Sequence, residues 1–205
     1  MMSRGFLPLL AIVVAVGSAA IARETDGLRA ITTAGARQLA VERAPISLPD
    51  VRLVDQDGDA FTLSEYQGRP VLVDFIYTRC PTLCGELGDD FHGVLKLTTG
   101  TGATRPIDLL SISFDPQNDD REALRLYGDR WGAKAPGWRI AAPADDRGLA
   151  ALLQSFGVVV IADGMGGFIH NSAVYLVDGQ GRLARILDPD APPQLFAQAL
   201  RSSAP

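Results

Sequence analysis

The stretch Val71-Leu-Val-Asp-Phe-Ile-Tyr-Thr-Arg-Cys-Pro-Thr-Leu-Cys-Gly85 decides how this chain folds, and it holds both cysteines of a 205-residue sequence. Val71 to Tyr77 is apolar apart from Asp74 and rich in β-branched and aromatic residues, the composition of a buried central strand. Pro81 suits the first position of a helix, where its missing N–H is not needed. Leu83, Leu87, Phe91, Val94, Leu95 and Leu97 then continue as an approximate helical stripe. Cys80 and Cys84 thus fall at a strand-to-helix junction, near the positive end of a helix dipole. That placement favours thiolate over thiol, and both metal binding and disulfide exchange need the thiolate.

Upstream, Ser47 to Val54 and Ala60 to Leu63 flank Asp57-Gly58, a hairpin turn. Ser64 caps a short helix ending by Gly68. Downstream of the loop at Gly100-Thr-Gly102, Ile107 to Phe114 reads as a second buried strand. Asp115-Pro-Gln-Asn-Asp119 turns into a helix near 120–131, with Asp119 or Asn118 as cap. Trp138 to Ala141 is a short strand, and Leu149, Leu152, Leu153 and Phe156 mark a helix that stops at Gly157. Val158 to Ile161 is a β-run before the glycine-rich loop Asp163 to Gly167. His170-Asn-Ser172 leads into a hairpin, Ala173 to Val177 and Leu183 to Leu187 around Asp178-Gly-Gln-Gly181. A last helix starts near Pro192 and carries Leu195, Phe196 and Leu200. The order β-α-β-α-(β)-α-β-β-α predicts an α/β fold: a central mixed β-sheet flanked by helices, with an N-terminal hairpin.

The formal charge of −5 comes from 24 acidic and 19 basic residues with no basic run, which argues against nucleic-acid binding. Phe6 to Ala22 is uncharged, sits between Arg4 and Arg23, and ends in Ala20-Ile-Ala22, which resembles a signal-peptidase site. Residues 1–22 are expected to be a signal peptide or an N-terminal membrane anchor, the balance leaning to the anchor. Residues 23–44 are polar and Ala-rich without a strong period and read as a tether, leaving 45–205 as one domain. Either export reading puts that domain in a compartment where two cysteines can be oxidised or metal-loaded.

Cys80-Pro-Thr-Leu-Cys84 closes too short a loop to gain much as a structural disulfide. Two thiolates can converge on one soft ion, but a selective site needs a further ligand. His92 stands eight residues past Cys84 on the same expected helix, roughly 12 Å away at 1.5 Å per residue, and reads as a solvated surface residue. His170 follows a glycine-rich loop, where backbone can approach a site closely. Two cysteines and one histidine suit Cu(I), and with a fourth ligand Zn(II). Met165 offers a soft sulfur, though a loop-packing role accounts for it better.

Tyr77-Thr-Arg-Cys80-Pro-Thr-Leu-Cys84, Ser113-Phe-Asp-Pro-Gln-Asn-Asp119 and His170-Asn-Ser-Ala-Val-Tyr-Leu-Val-Asp178 together resemble the Sco/SenC family, as does the Asp57-Gly…Phe61-Thr-Leu-Ser hairpin. The likeness runs from about residue 45 to the C-terminus. It implies a thioredoxin-like fold, anchored in the bacterial inner membrane and facing the periplasm. It implies a copper chaperone that delivers copper, as Cu(I) or Cu(II), to the dinuclear centre of cytochrome c oxidase subunit II, or first reduces that centre's cysteines. An upstream periplasmic copper donor or thiol reductant would supply it. By this resemblance Cys80, Cys84 and His170 match the copper ligands, and Asp115 and Asp119 belong to a structural Asp-Pro turn. Gly85 stands where the family often has proline, and Ile169 where the residue before the histidine is frequently acidic.

The alternative is a thiol-disulfide oxidoreductase in which Cys80 attacks and Cys84 resolves. Thioredoxin-like oxidoreductases carry a cis-proline before the strand facing the cysteines, and His170-Asn-Ser-Ala173 contains no proline. A histidine there serves a metal better than disulfide exchange.

Overall fold

The computed structural model describes residues 6–25, 27, 32–80, 83–99, 108–134 and 137–203, with the side chains at 6–9, 24, 83–86 and 98–99 outside that description. Pro81, Ile107 and the loop around Gly100 to Gly102 therefore lie outside the described residues. The chain divides into two compact units, Met1–Ala44 and Pro45–Pro205.

In the first unit, helix α1 (Phe6–Glu24) exposes apolar side chains such as Ile12, Val13 and Val16. Among the described residues no helix is long and apolar enough to cross a membrane. The segment expected as a tether contains a second helix, α2 (Thr33–Arg43). Its start is set by Thr32, whose hydroxyl accepts the Gly35 N–H at 3.0 Å. No apolar stripe announces this helix; the cap is its one clear local signal.

The second unit is built on an eight-stranded mixed sheet. Strand β1 (Ile46–Ser47) is followed by β2 (Arg52–Asp55) and β3 (Ala60–Thr62), then a 3-10 turn (Leu63–Tyr66). The central strand β4 (Val71–Ile76) leads to α3 (Leu83–Thr99), β5 (Asp108–Ser113), α4 (Arg121–Trp131), β6 (Trp138–Pro143) and α5 (Asp146–Phe156). A separate two-stranded ribbon, β7 (Val160–Ala162) and β8 (Phe168–His170), precedes β9 (Val174–Val177), β10 (Arg182–Leu187) and α6 (Pro193–Ser202). The sheet order is β1-β10-β9-β4-β5-β6-β2-β3, with β4, β5 and β6 parallel and the remaining pairings antiparallel.

Every residue of β4 and β5 is buried, as a run of β-formers covered on both faces requires. On one face lie α3, α4 and α6: Phe91 of α3 meets Trp138 with ring centroids 5.6 Å apart, Gly128 of α4 faces Ile140, and α6 packs on α3 and β4. On the other face α5 brings Phe156 against Phe75 and Tyr175, at 5.1 Å each. Gly157 ends α5 in the left-handed conformation, φ 69°, where a side chain would be strained. Asp74, opposite Ser111 in the β4–β5 register, is buried, and neither carboxylate oxygen has a hydrogen-bond partner among the described residues. Burial pushes its carboxyl up to about 7, against a lesser downward pull from Ser111.

Several local expectations need correction. Ser47 to Val54 is not one strand: Pro49 interrupts it, β1 joins β10 at one end of the sheet, and β2 pairs with β3 and β6 at the other. The short helix begins at Leu63, so Ser64 lies inside it and bonds the Thr62 hydroxyl instead of capping. The cap of α4 is Asp120, whose Oδ1 accepts the Ala123 N–H at 2.9 Å, because Asp119 and Asn118 are engaged elsewhere. Leu97 and Leu195 of the helical stripes are exposed. His92 is not solvated: it is half-buried against the Gly132 turn, and its Nδ1 is buried.

Candidate metal centre

Strand β4 delivers Tyr77 and then the loop Thr78-Arg79-Cys80 at the end of the sheet. The Cys80 N–H donates to the Tyr77 carbonyl at 3.1 Å, closing a tight turn that leaves Cys80 half-buried. Cys84 lies on the first turn of α3, where unpaired backbone N–H groups favour negative charge. Its side chain is outside the described residues.

His170 reaches the same end of the sheet by a route the sequence did not disclose. It ends β8 instead of starting the hairpin strand, and β8 pairs with β7 through Val160–His170, Ile161–Ile169 and Ala162–Phe168. This alternation turns Phe168 and His170 inward while Ile161 and Ile169 stay exposed. The inward rings enter an aromatic box. Phe168 stands 5.3 Å from Tyr77 and 5.5 Å from Phe114, and the His170 imidazole stands 4.9 Å from Phe114 and 6.3 Å from Tyr77. Phe114 follows β5, with its N–H on the Ile76 carbonyl. Strand pairing thus sets Phe114 beside Tyr77, and the β7–β8 ribbon closes over both.

Gly167 brings this closure close to Asp163 and Tyr77. A Cβ there would come 2.7 Å from the Asp163 carboxylate and 3.5 Å from the Tyr77 hydroxyl. Asp163 holds the ribbon's tip by accepting the Met165 and Gly167 N–H groups, which keep its carboxyl below the usual range. Met165 itself is 88% exposed, so the packing role expected for it is absent.

The imidazole is fixed by its neighbours. Nδ1 faces the Asn171 carbonyl at 3.3 Å, and Asn171 is pinned by Val159 N–H on its Oδ1 and by donating Nδ2–H to the Gly157 carbonyl. With Nδ1–H as donor, Nε2 carries the lone pair. That Nε2 is buried and has no partner among the described residues. Burial pushes the His170 pKa below its ordinary value, partly offset by the Asn171 carbonyl, which favours the neutral ring. A buried imidazole nitrogen left unpaired costs free energy unless something binds it.

Among the described residues no group of three or more His, Cys, Asp or Glu side chains assembles a metal site. Those residues link Cys80 to His170 through Tyr77, by a backbone hydrogen bond on one side and a ring contact on the other. Tyr77, Phe114 and Phe168 were not singled out from sequence; the Phe168-Ile169-His170 alternation was the available signal.

The SCO1/SenC family model matches residues 43–204. A SCO1 protein homolog of Bacillus subtilis (strain 168) is 26% identical over 133 residues, 64% of this chain and 68% of the relative. The chain spans less than half the length of the human mitochondrial SCO1 and SCO2 homologs it matches. Among solved structures, Bradyrhizobium japonicum ScoI with copper bound superposes with a TM-score of 0.64 at 25% identity, covering 77% of this chain and 99% of that one. BsSco, a member of the Sco family of cytochrome c oxidase assembly proteins in which a disulfide switch was identified, superposes at 0.68 and 21% identity, covering 78% and 95%. The expected thioredoxin-like fold is the one these neighbours share.

Proposed function

Because the chain belongs to the SCO1/SenC family, we propose that it is a copper-binding chaperone in cytochrome c oxidase assembly, holding copper as cargo through Cys80, Cys84 and His170. The observation that carries this reading is His170 Nε2: a buried nitrogen with no partner among the described residues, held against the Phe114 and Tyr77 rings. Thiolates select Cu(I), and an imidazole still binds after oxidation to Cu(II), so the donor set suits both states. The ScoI neighbour with copper bound supports copper as the metal carried.

In this reading residues 1–22 export or anchor the protein, 23–44 tether it, and 45–205 present the site to the periplasm. The acceptor is subunit II of cytochrome c oxidase, and a periplasmic copper donor or thiol reductant acts upstream. The absence of proline in His170-Asn-Ser-Ala173 sets the site apart from thiol-disulfide oxidoreductases.

The test is an anaerobic Cu(I) titration of the reduced full chain against a competing chelator, beside Cys84→Ser and His170→Ala. Tight 1:1 binding that falls in both variants is expected. Binding indifferent to His170 refutes the three-ligand site and leaves the dithiol for disulfide exchange.

A further inference from the structure

We propose that Asp119 is a positioning residue for Cys80, acting through Thr78. The inference rests on the copper reading above, and its geometry lies in the turn after β5. Asp119 is 2% exposed, and its carboxylate accepts three hydrogen bonds. Two come from Thr78, its N–H at 3.0 Å and its hydroxyl at 2.6 Å; the third comes from the Ser113 hydroxyl at 2.6 Å. Thr78 is two residues before Cys80, so backbone and side chain of the cysteine loop are gripped at one point.

The grip extends in both directions. Ser113 Oγ also accepts the Asp115 N–H at 3.0 Å, and the Asp115 carboxylate takes Arg79 at 2.8 Å and the Asn118 amide. The two residues that precede Cys80 are thereby held by two carboxylates that share one serine. Tyr77 anchors the near end of the loop in the aromatic box, and the Cys80 N–H closes it on the Tyr77 carbonyl. The chain from Tyr77 to Cys80 is restrained at each residue.

A buried carboxylate is a costly way to stabilise a turn, because its charge must be desolvated and every lone pair matched. Here both oxygens point at the loop that carries the thiol, and Asp120, the next residue, already caps α4. Asp119 is therefore free of the capping duty, and its hydrogen bonds go to setting the loop. An asparagine offers one acceptor oxygen where the three donors use two.

The experiment measures Cu(I) affinity of the reduced full chain for wild type, Asp119→Asn, Thr78→Val, Thr78→Ser and Asp120→Ala. Asp119→Asn and Thr78→Val are expected to weaken binding by about 10- to 100-fold, the usual cost of losing a group that orients a ligand. Thr78→Ser keeps the hydroxyl and restores affinity. Asp120→Ala removes a cap in the same turn without touching Thr78, and leaves affinity unchanged. Thr78→Val keeps its backbone bond to Asp119 and serves where Asp119→Asn fails to fold.

The proposal is overturned if Thr78→Val binds like wild type, or if Asp120→Ala weakens binding as much. If wild type itself binds no Cu(I), the copper reading fails separately. Positioning is then judged by alkylation of Cys80 in a Cys84→Ser background. A severalfold faster reaction in Thr78→Val supports it, because a released loop exposes a half-buried thiol; an unchanged rate overturns it.

Discussion

The imidazole of His170 meets the ring of Tyr77 edge-on, with centroids 6.3 Å apart and planes at 83°. Tyr77 also gives its carbonyl to the Cys80 N–H. One residue therefore links the ribbon histidine to the sheet-end Cys80, ninety positions away in sequence. The coupling is rigid because Tyr77 continues the fully buried strand β4.

Phe114 closes the other side of the imidazole at 4.9 Å. Phe114→Leu keeps an apolar side chain but removes the ring contacts to Tyr77, Phe168 and His170, which are worth about 0.5–1.5 kcal/mol per pair. The variant should fold, lose stability on that order in urea denaturation, and bind Cu(I) more weakly. Unaltered Cu(I) binding would show that the box does not orient His170.

The depressed pKa of His170 gives a pH signature. A metal competes with a proton for Nε2, and a lowered pKa moves that competition below the usual histidine range near pH 6.5. The affinity advantage of wild type over His170→Ala should persist as pH falls through that range and shrink only below it. Chelator-competition titrations of both proteins across pH 5 to 8 read this ratio, and an advantage already lost at neutral pH contradicts the assignment.

Asp74 predicts a stability effect of opposite sign to most carboxylates. Its folded pKa of about 7 exceeds the unfolded value of 3.8, so the folded state holds the extra proton between them. Stability from this group is fully present below about pH 4 and is lost as pH rises through 7. The cost above that is on the order of a few kcal/mol. Asp74→Asn should abolish this slope and be the more stable protein at pH 8. Urea midpoints at pH 5 and 8 check it, and parallel curves for the two proteins would refute it.

Gly88 lets α3 approach α4: a Cβ there would stand 2.7 Å from the Trp131 ring. Gly88→Ala gains helix propensity of about 1 kcal/mol but forces the indole to move, at about 1–3 kcal/mol. Net destabilisation is expected by thermal or chemical unfolding. A stabilised variant would mean that Trp131 yields freely.

Much of this fold could be read from local chemistry. Val71 to Ile76 and the Asp108–Ser113 strand are buried because their composition suits no other environment, and Gly157 ends its helix because only glycine takes that conformation readily. The cysteine pair and His170 stood out by residue type, and the resemblance to the Sco/SenC family grouped them. Packing decided the rest. Pro49 sent the two halves of one apparent strand to opposite ends of the sheet. Asp119, legible only as a turn residue, proved to hold Thr78, and His92, which looked solvated, is tucked against the Gly132 turn. His170 was a histidine of unknown environment until β7 and β8 paired. That pairing turns it inward onto Phe114 and Tyr77 and buries Nε2 with no partner among the described residues. Such availability arises from contacts between residues distant in the chain, so no stretch of sequence around His170 encodes it alone.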